Sequence, residues 1–214
     1  MSRIAATIAT ALVLALWSPS VASAQDRELR FQVLLDGSPI GSQVFRISEE
    51  GARTTVSIEA TMDVRILFIT AYSYRHRNVE TWNGDCLSSI DATTDDNGDA
   101  FRVKGAVAGD SFKVERTSGK EMLPACVVSY SYWAPDRLRA GRLLNSQTGK
   151  YEQLELRELG EASVSYRGQE VRARHIALVG EARYIELWYE LGSQEWIALE
   201  SVTEGGRRLR YVRG

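Results

Sequence analysis

The sequence is poor in the residues that build metal and redox sites. Its 214 residues include only two cysteines and two histidines. A structural zinc site needs four closely spaced ligands, and a redox-active dithiol needs a Cys-x-x-Cys pair. Cys86 and Cys126 are far apart in the chain, as are His76 and His175. We therefore expect no metal ion and no cofactor.

The chain also lacks a large excess of charge and, after its first residues, any long apolar segment. The net charge is −2, which excludes a nucleic-acid-binding protein that works through bulk charge. The composition is 44% hydrophobic and 25% charged, with 17 glycines. These values exclude collagen, a coiled coil and a disordered chain. A single globular domain fits this length best.

The first 24 residues have the pattern of a secretory signal peptide. Arg3 supplies the positive charge, residues 4–17 form an apolar run, and Ala22-Ser23-Ala24 matches a signal peptidase site. An uncleaved anchor is disfavoured because the run is shorter than the roughly 20 residues that span a bilayer. We therefore expect cleavage after Ala24, a single β domain over residues 25–214 in the periplasm, and no transmembrane segment in that domain.

The two cysteines are the natural partners of one disulfide bond. An even number of cysteines in an exported chain indicates such a bond. Joining Cys86 to Cys126 closes a loop of 41 residues, which on the chain-entropy model stabilises the fold by roughly 4 kcal/mol. Turn-forming residues, Asn83-Gly84 and Pro124, come shortly before the two cysteines. We therefore expect both cysteines to lie at strand starts.

Apolar residues alternate with polar ones along most of the chain. Leu29, Phe31, Val33 and Leu35 show this period of two, which indicates strands with one buried face. Asn-Gly and Asp-Gly pairs separate the alternating segments, as is typical of hairpins. We expect about a dozen strands and an all-β fold. Its architecture would be a single large curved antiparallel sheet, either an open barrel or a β-spiral.

Two segments depart from this alternation. Residues 64–74 form a continuous apolar and aromatic run, which predicts either a strand buried on both faces or a short helical turn. Pro135 and Asp136 suit the first turn of a helix. The sequence therefore predicts one short helix near 135–145, packed against the sheet.

Two groups of aromatic and basic residues are candidate ligand-binding residues. In the first, Tyr72, Tyr74 and His76 are interleaved with Arg75 and Arg77. His76 has the chemistry of a general base, but no Gly-x-Ser-x-Gly nucleophile motif accompanies it. That absence disfavours a hydrolase. The alternative is a plain strand whose aromatic side chains point inward and whose charges point outward.

The second group, Tyr132, Trp133, Arg137 and Arg139, follows Cys126. Its arginines could receive a phosphate or carboxylate group while the aromatic rings hold an apolar body. The alternative is a solvated helix face beside a core strand. Because neither group contains a complete catalytic set, we assign no catalytic residue.

Four stretches carry a family resemblance: residues 31–41 (FQVLLDGSPIG), 74–77 (YRHR) with 82–86 (WNGDC), 94–98 (TDDNG), and 199–211 (LESVTEGGRRLRY). Together they resemble one family of exported Gram-negative proteins that is known only as a domain of unknown function. The chain is more loosely similar to periplasmic β-spiral and half-barrel proteins, such as the outer-membrane lipoprotein carriers. That similarity implies a sheet that curls without closing and leaves a lipophilic concave face.

These observations predict a periplasmic cell-envelope protein that is not an enzyme. We expect it to bind a lipid or another lipophilic or amphipathic envelope component inside the curled sheet. The rival hypothesis is an envelope scaffold that binds a protein partner and has a filled core and no small ligand. A hydrolase that uses His76 is the disfavoured third hypothesis. None of the three involves nucleic acid.

Overall fold

The structure, a computed structural model, describes residues 25–181 and 183–214. The expected signal peptide and the cleavage site after Ala24 lie outside the described residues. The described residues form fifteen β-strands and one 3₁₀ helix, Pro135–Ala140. The strands are β1 (Gln25–Leu35), β2 (Ser38–Glu50), β3 (Arg53–Ile66), β4 (Ile69–Asn83), β5 (Cys86–Asp96), β6 (Asp99–Ala108), β7 (Ser111–Arg116), β8 (Gly119–Pro124), β9 (Arg142–Leu144), β10 (Tyr151–Gln153), β11 (Glu155–Tyr166), β12 (Gln169–Gly180), β13 (Arg183–Glu190), β14 (Trp196–Val202) and β15 (Arg208–Arg213).

Thirteen of the strands form one antiparallel sheet. Their order is β11-β12-β13-β14-β15-β1-β2-β3-β4-β5-β6-β7-β8, so nearly every neighbouring pair is a hairpin. The pairing of β1 with β15 joins the two halves of the chain, with Phe31 opposite Arg213. The edge strands β8 and β11 do not pair with each other, so the sheet stays open. The expected single, unclosed antiparallel sheet is confirmed.

The local sequence explains the hairpins. Along β3, side chains alternate between buried and more exposed positions, as a sheet with one covered face requires. In the β5–β6 turn, Asn97 and Gly98 both have positive φ, 54° and 98°. Asp36 and Gly37 do the same in the β1–β2 turn, at 49° and 81°. Tight hairpin turns require this conformation, and Asx-Gly pairs adopt it most readily.

The connection between β8 and β11, residues 125–154, packs against the buried face of the sheet and is called the inner segment below. Its buried side chains include Val127, Leu138, Leu143 and Leu144. They join one hydrophobic core with large side chains from both halves of the sheet, namely Phe31, Phe45, Trp82, Phe112 and Ile176. A sheet whose distant strands share one core must curl around it.

The predicted helix is present, but it is shorter than expected and of the 3₁₀ type. Pro135 begins it, and Gly141 ends it in the left-handed conformation with φ of 76°. Leu143 and Leu144 then pair with Glu152 and Tyr151 as strands β9 and β10. Residues 142–145 are therefore not helical.

The apolar run over residues 64–74 is neither a doubly buried strand nor a helical turn, so both expectations for it are wrong. It forms the end of β3, a tight turn and the start of β4. Leu67 and Phe68, at the turn, are 88% and 102% exposed. Burial fails here because β2 stops pairing with β3 at Met62 and β5 stops pairing with β4 at Tyr74, both before the turn.

The disulfide between Cys86 and Cys126 is confirmed, with the two Cα atoms 4.9 Å apart. Cys86 begins β5 as expected, whereas Cys126 lies just beyond β8 in the inner segment. Next to the bond, the Leu87 backbone N–H donates a hydrogen bond to the Val127 carbonyl at 2.8 Å. The disulfide therefore fastens the start of the inner segment to β5, an interior strand three places from the β8 edge.

Removing the disulfide should destabilise the protein. Loss of such a bond typically costs about 2–5 kcal/mol, which for a domain of this size lowers the melting temperature by roughly 5–20 °C. Thermal unfolding with and without reductant, and of Cys86→Ser, measures the effect. Thiol titration of the oxidised, denatured protein should find no free thiol. A melting temperature indifferent to reductant would contradict the structural role of the bond.

Candidate functional site

The concave face of the sheet holds a cavity of about 780 Å³, called the main cavity below. This volume is within the roughly 300–1,000 Å³ typical of small-molecule sites. Its walls come from β1–β5 and β13–β15, and Tyr132 and Gln147 of the inner segment form its floor. Exposed residues of the β3–β4 turn region and the β14–β15 turn form its rim. The apolar lining consists of Leu35, Ile40, Met62, Val64, Ile66, Ala71, Ile185, Trp196, Leu199 and Leu209.

Tyrosine rings make up much of the remaining wall. Tyr72 donates a hydrogen bond through its hydroxyl to Asp96 Oδ1 at 2.6 Å, and Tyr74 donates one to Gln147 Oε1 at 3.1 Å. Burial raises the pKa of each phenol, so both remain neutral. The anchored hydroxyls fix rings that line the cavity.

A smaller pocket of about 160 Å³ adjoins the main cavity. Gln43, Tyr74, Tyr132, Gln147 and Arg183 line both spaces, so the two lie side by side. The smaller space, called the polar pocket below, is also lined by His76, Glu80, Tyr130, Asn145 and Ser146. The site therefore has a wide apolar compartment and a narrow polar one.

His76 lies in the polar pocket and is 6% exposed. Its Nδ1 is 2.8 Å from Thr94 Oγ1, and its Nε2 is 3.5 Å from Ser146 Oγ. Burial lowers the pKa of His76 to about 4, so the ring is neutral and a weak base. In a serine hydrolase a carboxylate stabilises the charged imidazole, and the Thr94 hydroxyl cannot do so. The geometry therefore does not support a hydrolase.

An ion pair lies where the polar pocket meets the main cavity. Arg183 Nε donates a hydrogen bond to Glu152 Oε2 at 2.7 Å. Glu152 also accepts hydrogen bonds from the Tyr130 hydroxyl and from Asn145 Nδ2. Because its carboxylate is already shared by three donors, Glu152 holds Arg183 toward the cavity and can offer little to a ligand itself.

Of the seven predicted ligand-binding residues, four lie together at this site. Tyr72, Tyr74 and Tyr132 line the main cavity, and Tyr74, His76 and Tyr132 line the polar pocket. The first group comes from β4 and Tyr132 from the inner segment, nearly sixty positions later. Tyr132 is therefore the member of the second sequence group that lies beside the first group at this site.

The other three predicted residues lie elsewhere. The Arg137 guanidinium carbon is 4.6 Å from the ring of Trp82 and 4.7 Å from the ring of Trp133. Arg137 Nη2 also donates a hydrogen bond to the carbonyl of Gly84, in the β4–β5 turn. This turn is ten residues along β4 from Tyr74, or roughly 30 Å. Arg139 forms a surface ion pair with Glu158. Trp133 and Arg137 therefore belong to the packing of the opposite end, Arg139 lies on the surface, and none of the three lines the cavity.

A family model covers residues 31–214 of the chain. The chain belongs to the family described as domain of unknown function DUF6134. The family assignment agrees with the resemblance expected from the four sequence stretches and brings no activity with it. No curated protein matches the chain.

Among solved structures, the DUF6134 fold is similar to a crystal structure described as a β-barrel-like protein of domain of unknown function DUF1849 from Brucella abortus. The TM-score is 0.61 at 9% sequence identity, and the match covers 88% of this chain and 95% of that chain. At this identity the likeness concerns the fold alone. Within the described residues, no helix is both long and apolar enough to cross a membrane.

Sequence reasoning missed several residues of the site, above all Arg183, Gln147 and Tyr211. The period-two pattern of β15 could have placed Tyr211 and Leu209 on one face. For Gln147, which is in a turn of the inner segment, no local pattern distinguishes it from a solvated loop residue. Arg183 begins β13, where a basic residue is ordinary.

His76 should make stability fall at acidic pH. The pKa of His76 is ordinarily 6.5 and is about 4 in the folded protein. Between pH 4 and pH 6.5, His76 is therefore protonated in the unfolded state and neutral in the folded state. Stability is then complete above pH 6.5 and decreases as pH falls, by about 2 kcal/mol at pH 4.5. The raised pKa of buried Glu80 acts in the opposite direction.

Urea unfolding of wild type and His76→Gln at pH 7 and pH 4.5 separates the two contributions, because Glu80 is common to both proteins. The wild type should lose about 2 kcal/mol more than the variant. Equal losses would show that His76 is protonated normally in the folded protein.

Arg137→Ala should destabilise the fold, while Arg139→Ala serves as a matched control. Arg137 lies over the rings of Trp82 and Trp133, with 12% of its side chain exposed, so its loss should cost about 1–3 kcal/mol. Arg139 forms an exposed pair, and its loss should change stability by less than about 0.5 kcal/mol. Urea unfolding compares the two variants. Equal stabilities would contradict a structural role for Arg137.

Proposed function

We propose that this protein is a periplasmic binding protein that holds a lipophilic or amphipathic envelope molecule in the main cavity and catalyses no reaction. The observation that carries the proposal is a wide apolar cavity directly beside a small polar pocket on the concave face. An amphipathic molecule has the same division into an apolar body and a polar group. Apolar sites with a few fixed polar groups are typical of ligand-binding proteins.

The apolar body of such a ligand would contact the wall that β2, β3 and β15 form. Ile40, Met62 and Leu209 belong to this wall and pack together. Removing the ligand's apolar surface from water would supply roughly 25 cal/mol for each Å² buried. All three side chains are uncharged, so an alkyl chain could cover them without desolvating an ion.

The polar group of the ligand would face the polar pocket. Arg183, held by Glu152, and Gln147, whose Nε2 donates to Asp96 at 3.0 Å, are fixed there before any ligand binds. Neutral His76 adds a ring nitrogen that can accept or donate a hydrogen bond. Preorganised groups of this kind reduce the ordering cost of binding. We infer that the polar group is one that forms several hydrogen bonds.

The periplasmic location belongs to the same proposal. The predicted signal peptide over the first 24 residues supports it. The Cys86–Cys126 disulfide supports it independently, because such bonds persist in oxidising compartments. The rival function is a scaffold whose sheet binds a protein partner and no small ligand. A cavity of this size on the concave face favours the binding protein over the scaffold.

A carboxylate placed on the apolar wall should weaken ligand binding. We expect the purified protein to bind a dansyl-labelled fatty acid with enhanced probe fluorescence. Ile40→Glu should weaken binding at least about ten-fold, a loss of about 1.4 kcal/mol or more, because the probe would have to desolvate the new charge. Fluorescence titration measures both affinities.

Met122→Glu is the matched control, since Met122 is 56% exposed on the edge strand β8. Met122→Glu should bind the probe with the affinity of the wild type. Circular dichroism should show that the wild type, Ile40→Glu and Met122→Glu are all folded. A wild type that gives no saturable binding, or an Ile40→Glu variant with unchanged affinity, would favour the scaffold.

A further inference from the structure

The turn between β3 and β4 exposes four consecutive large apolar side chains, called the tip below. Ile66, Leu67, Phe68 and Ile69 are 63%, 88%, 102% and 72% exposed. The other large exposed apolar residues of the described chain stand singly in the sequence. Single exposed apolar residues are ordinary on protein surfaces, whereas a contiguous patch marks an interaction site.

The tip is detached from the neighbouring strands. Strand β2 pairs with β3 only as far as Met62, and β5 pairs with β4 only from Tyr74 onward. Between these limits, β3 and β4 pair with each other alone up to Ile66 opposite Ile69. This two-stranded ribbon is about four residues long, or roughly 13 Å. None of the described strands pairs with the tip on either side, so its apolar side chains are free to contact another surface.

The conformation of the tip is unfavourable for its residues. Leu67 has φ of 55°, in the left-handed region where a branched apolar residue is strained. The comparable β1–β2 and β5–β6 turns place Asp36-Gly37 and Asn97-Gly98 at such positions. Neither solubility nor turn stability accounts for leucine and phenylalanine here. Backbone strain that serves no folding purpose points to function.

The ribbon is continuous with the main cavity. Val64, Ile66, Ala71 and Tyr72 line the cavity along the same two strands that carry the tip. An apolar ligand could therefore move between the cavity and whatever the tip contacts without crossing water. This continuity favours a reservoir of lipophilic molecules over a protein partner.

The charge at the tip fits a lipid headgroup layer. Arg65 is the charged residue closest to the tip, it is exposed, and it has no acidic partner within 4 Å among the described residues. Asp63, the next charged residue along β3, is paired with Arg75 at 2.9 Å, so it does not offset the charge of Arg65. An arginine just behind an inserted apolar turn lies at the depth of lipid phosphates.

We propose that the tip inserts into a lipid bilayer and brings the mouth of the main cavity onto it. Its role in ligand transfer rests on the proposed function, whereas bilayer binding does not. The inserted part would be the apolar turn alone, which is small, so binding would be reversible. Arg65 would add attraction to anionic lipids.

Flotation with vesicles of phosphatidylethanolamine and phosphatidylglycerol tests the proposal. The test variant is Leu67→Gly with Phe68→Asn, because residue 67 holds the positive-φ position and glycine at the first central position favours such a turn. We expect its melting temperature to equal or exceed that of the wild type, and its vesicle partitioning to fall at least about ten-fold. Val107→Asn with Met122→Gln removes two exposed apolar side chains elsewhere, and this control should partition like the wild type.

Arg65→Gln provides an independent arm. It should weaken binding to vesicles that contain phosphatidylglycerol several-fold and leave binding to vesicles of phosphatidylcholine unchanged. A wild type that does not float with vesicles, or a turn variant that floats equally well, would overturn the proposal. So would a tip that crosslinks to a protein but not to lipid.

The outcomes separate this proposal from the proposed function. The turn variant should still bind the dansyl-labelled fatty acid from solution, and Ile40→Glu should still float with vesicles. Vesicle binding without binding of the fatty acid would contradict the ligand-binding function and support bilayer docking. Fatty-acid binding without vesicle binding would support the ligand-binding function and contradict bilayer docking.

Discussion

The curl of the sheet depends on the packing of the inner segment against it. Strands β8 and β11 are edges that do not pair with each other, so hydrogen bonds alone do not close the sheet. Leu138, Leu143 and Leu144 instead occupy the space between its two halves and share one core with them. Fully burying each of these side chains contributes roughly 1.5–3 kcal/mol. Without them the concave face would expose its apolar residues to water.

Polar contacts set the position of the inner segment relative to both halves. Arg116 of β7 donates a hydrogen bond to the Gly149 carbonyl at 2.9 Å, and Arg183 of β13 pairs with Glu152. The disulfide fixes the start of the segment beside β5. The segment fills the end of the sheet near Trp82 and stops at Tyr132 and Gln147. The opposite end is left as a cavity, so the same packing that holds the fold also defines the candidate site.

Most of the sheet could be predicted from the sequence, because strands and hairpins depend on local chemistry. Alternation reveals the buried face of each strand, and Asx-Gly pairs reveal the turns. The disulfide followed from the count of cysteines. Alternation along β4 also identified Tyr72, Tyr74 and His76, because aromatic residues on the buried face of a curled sheet point inward, whereas Tyr132 was found only as part of an aromatic and basic cluster.

What could not be predicted depends on how far each strand extends and what the curl brings together. The run over residues 64–74 is as apolar as a buried strand, and it is exposed because β2 and β5 stop pairing with this hairpin before its turn. Arg137 resembles a free surface charge until Trp82, which is 55 positions earlier, is placed beside it. Arg183 and Glu152 meet because the inner segment lies against β13. None of these facts is encoded within a short window of sequence.

The central claim is that the open end of the sheet holds a lipophilic molecule in the cell. Native mass spectrometry of the protein purified from periplasm, before and after extraction with organic solvent, tests it most directly. The ligand-binding function predicts a complex heavier than the mature polypeptide, with the excess mass lost on extraction and recovered as a lipophilic compound. The polypeptide mass alone in both samples, from a folded protein with an intact disulfide, would contradict it.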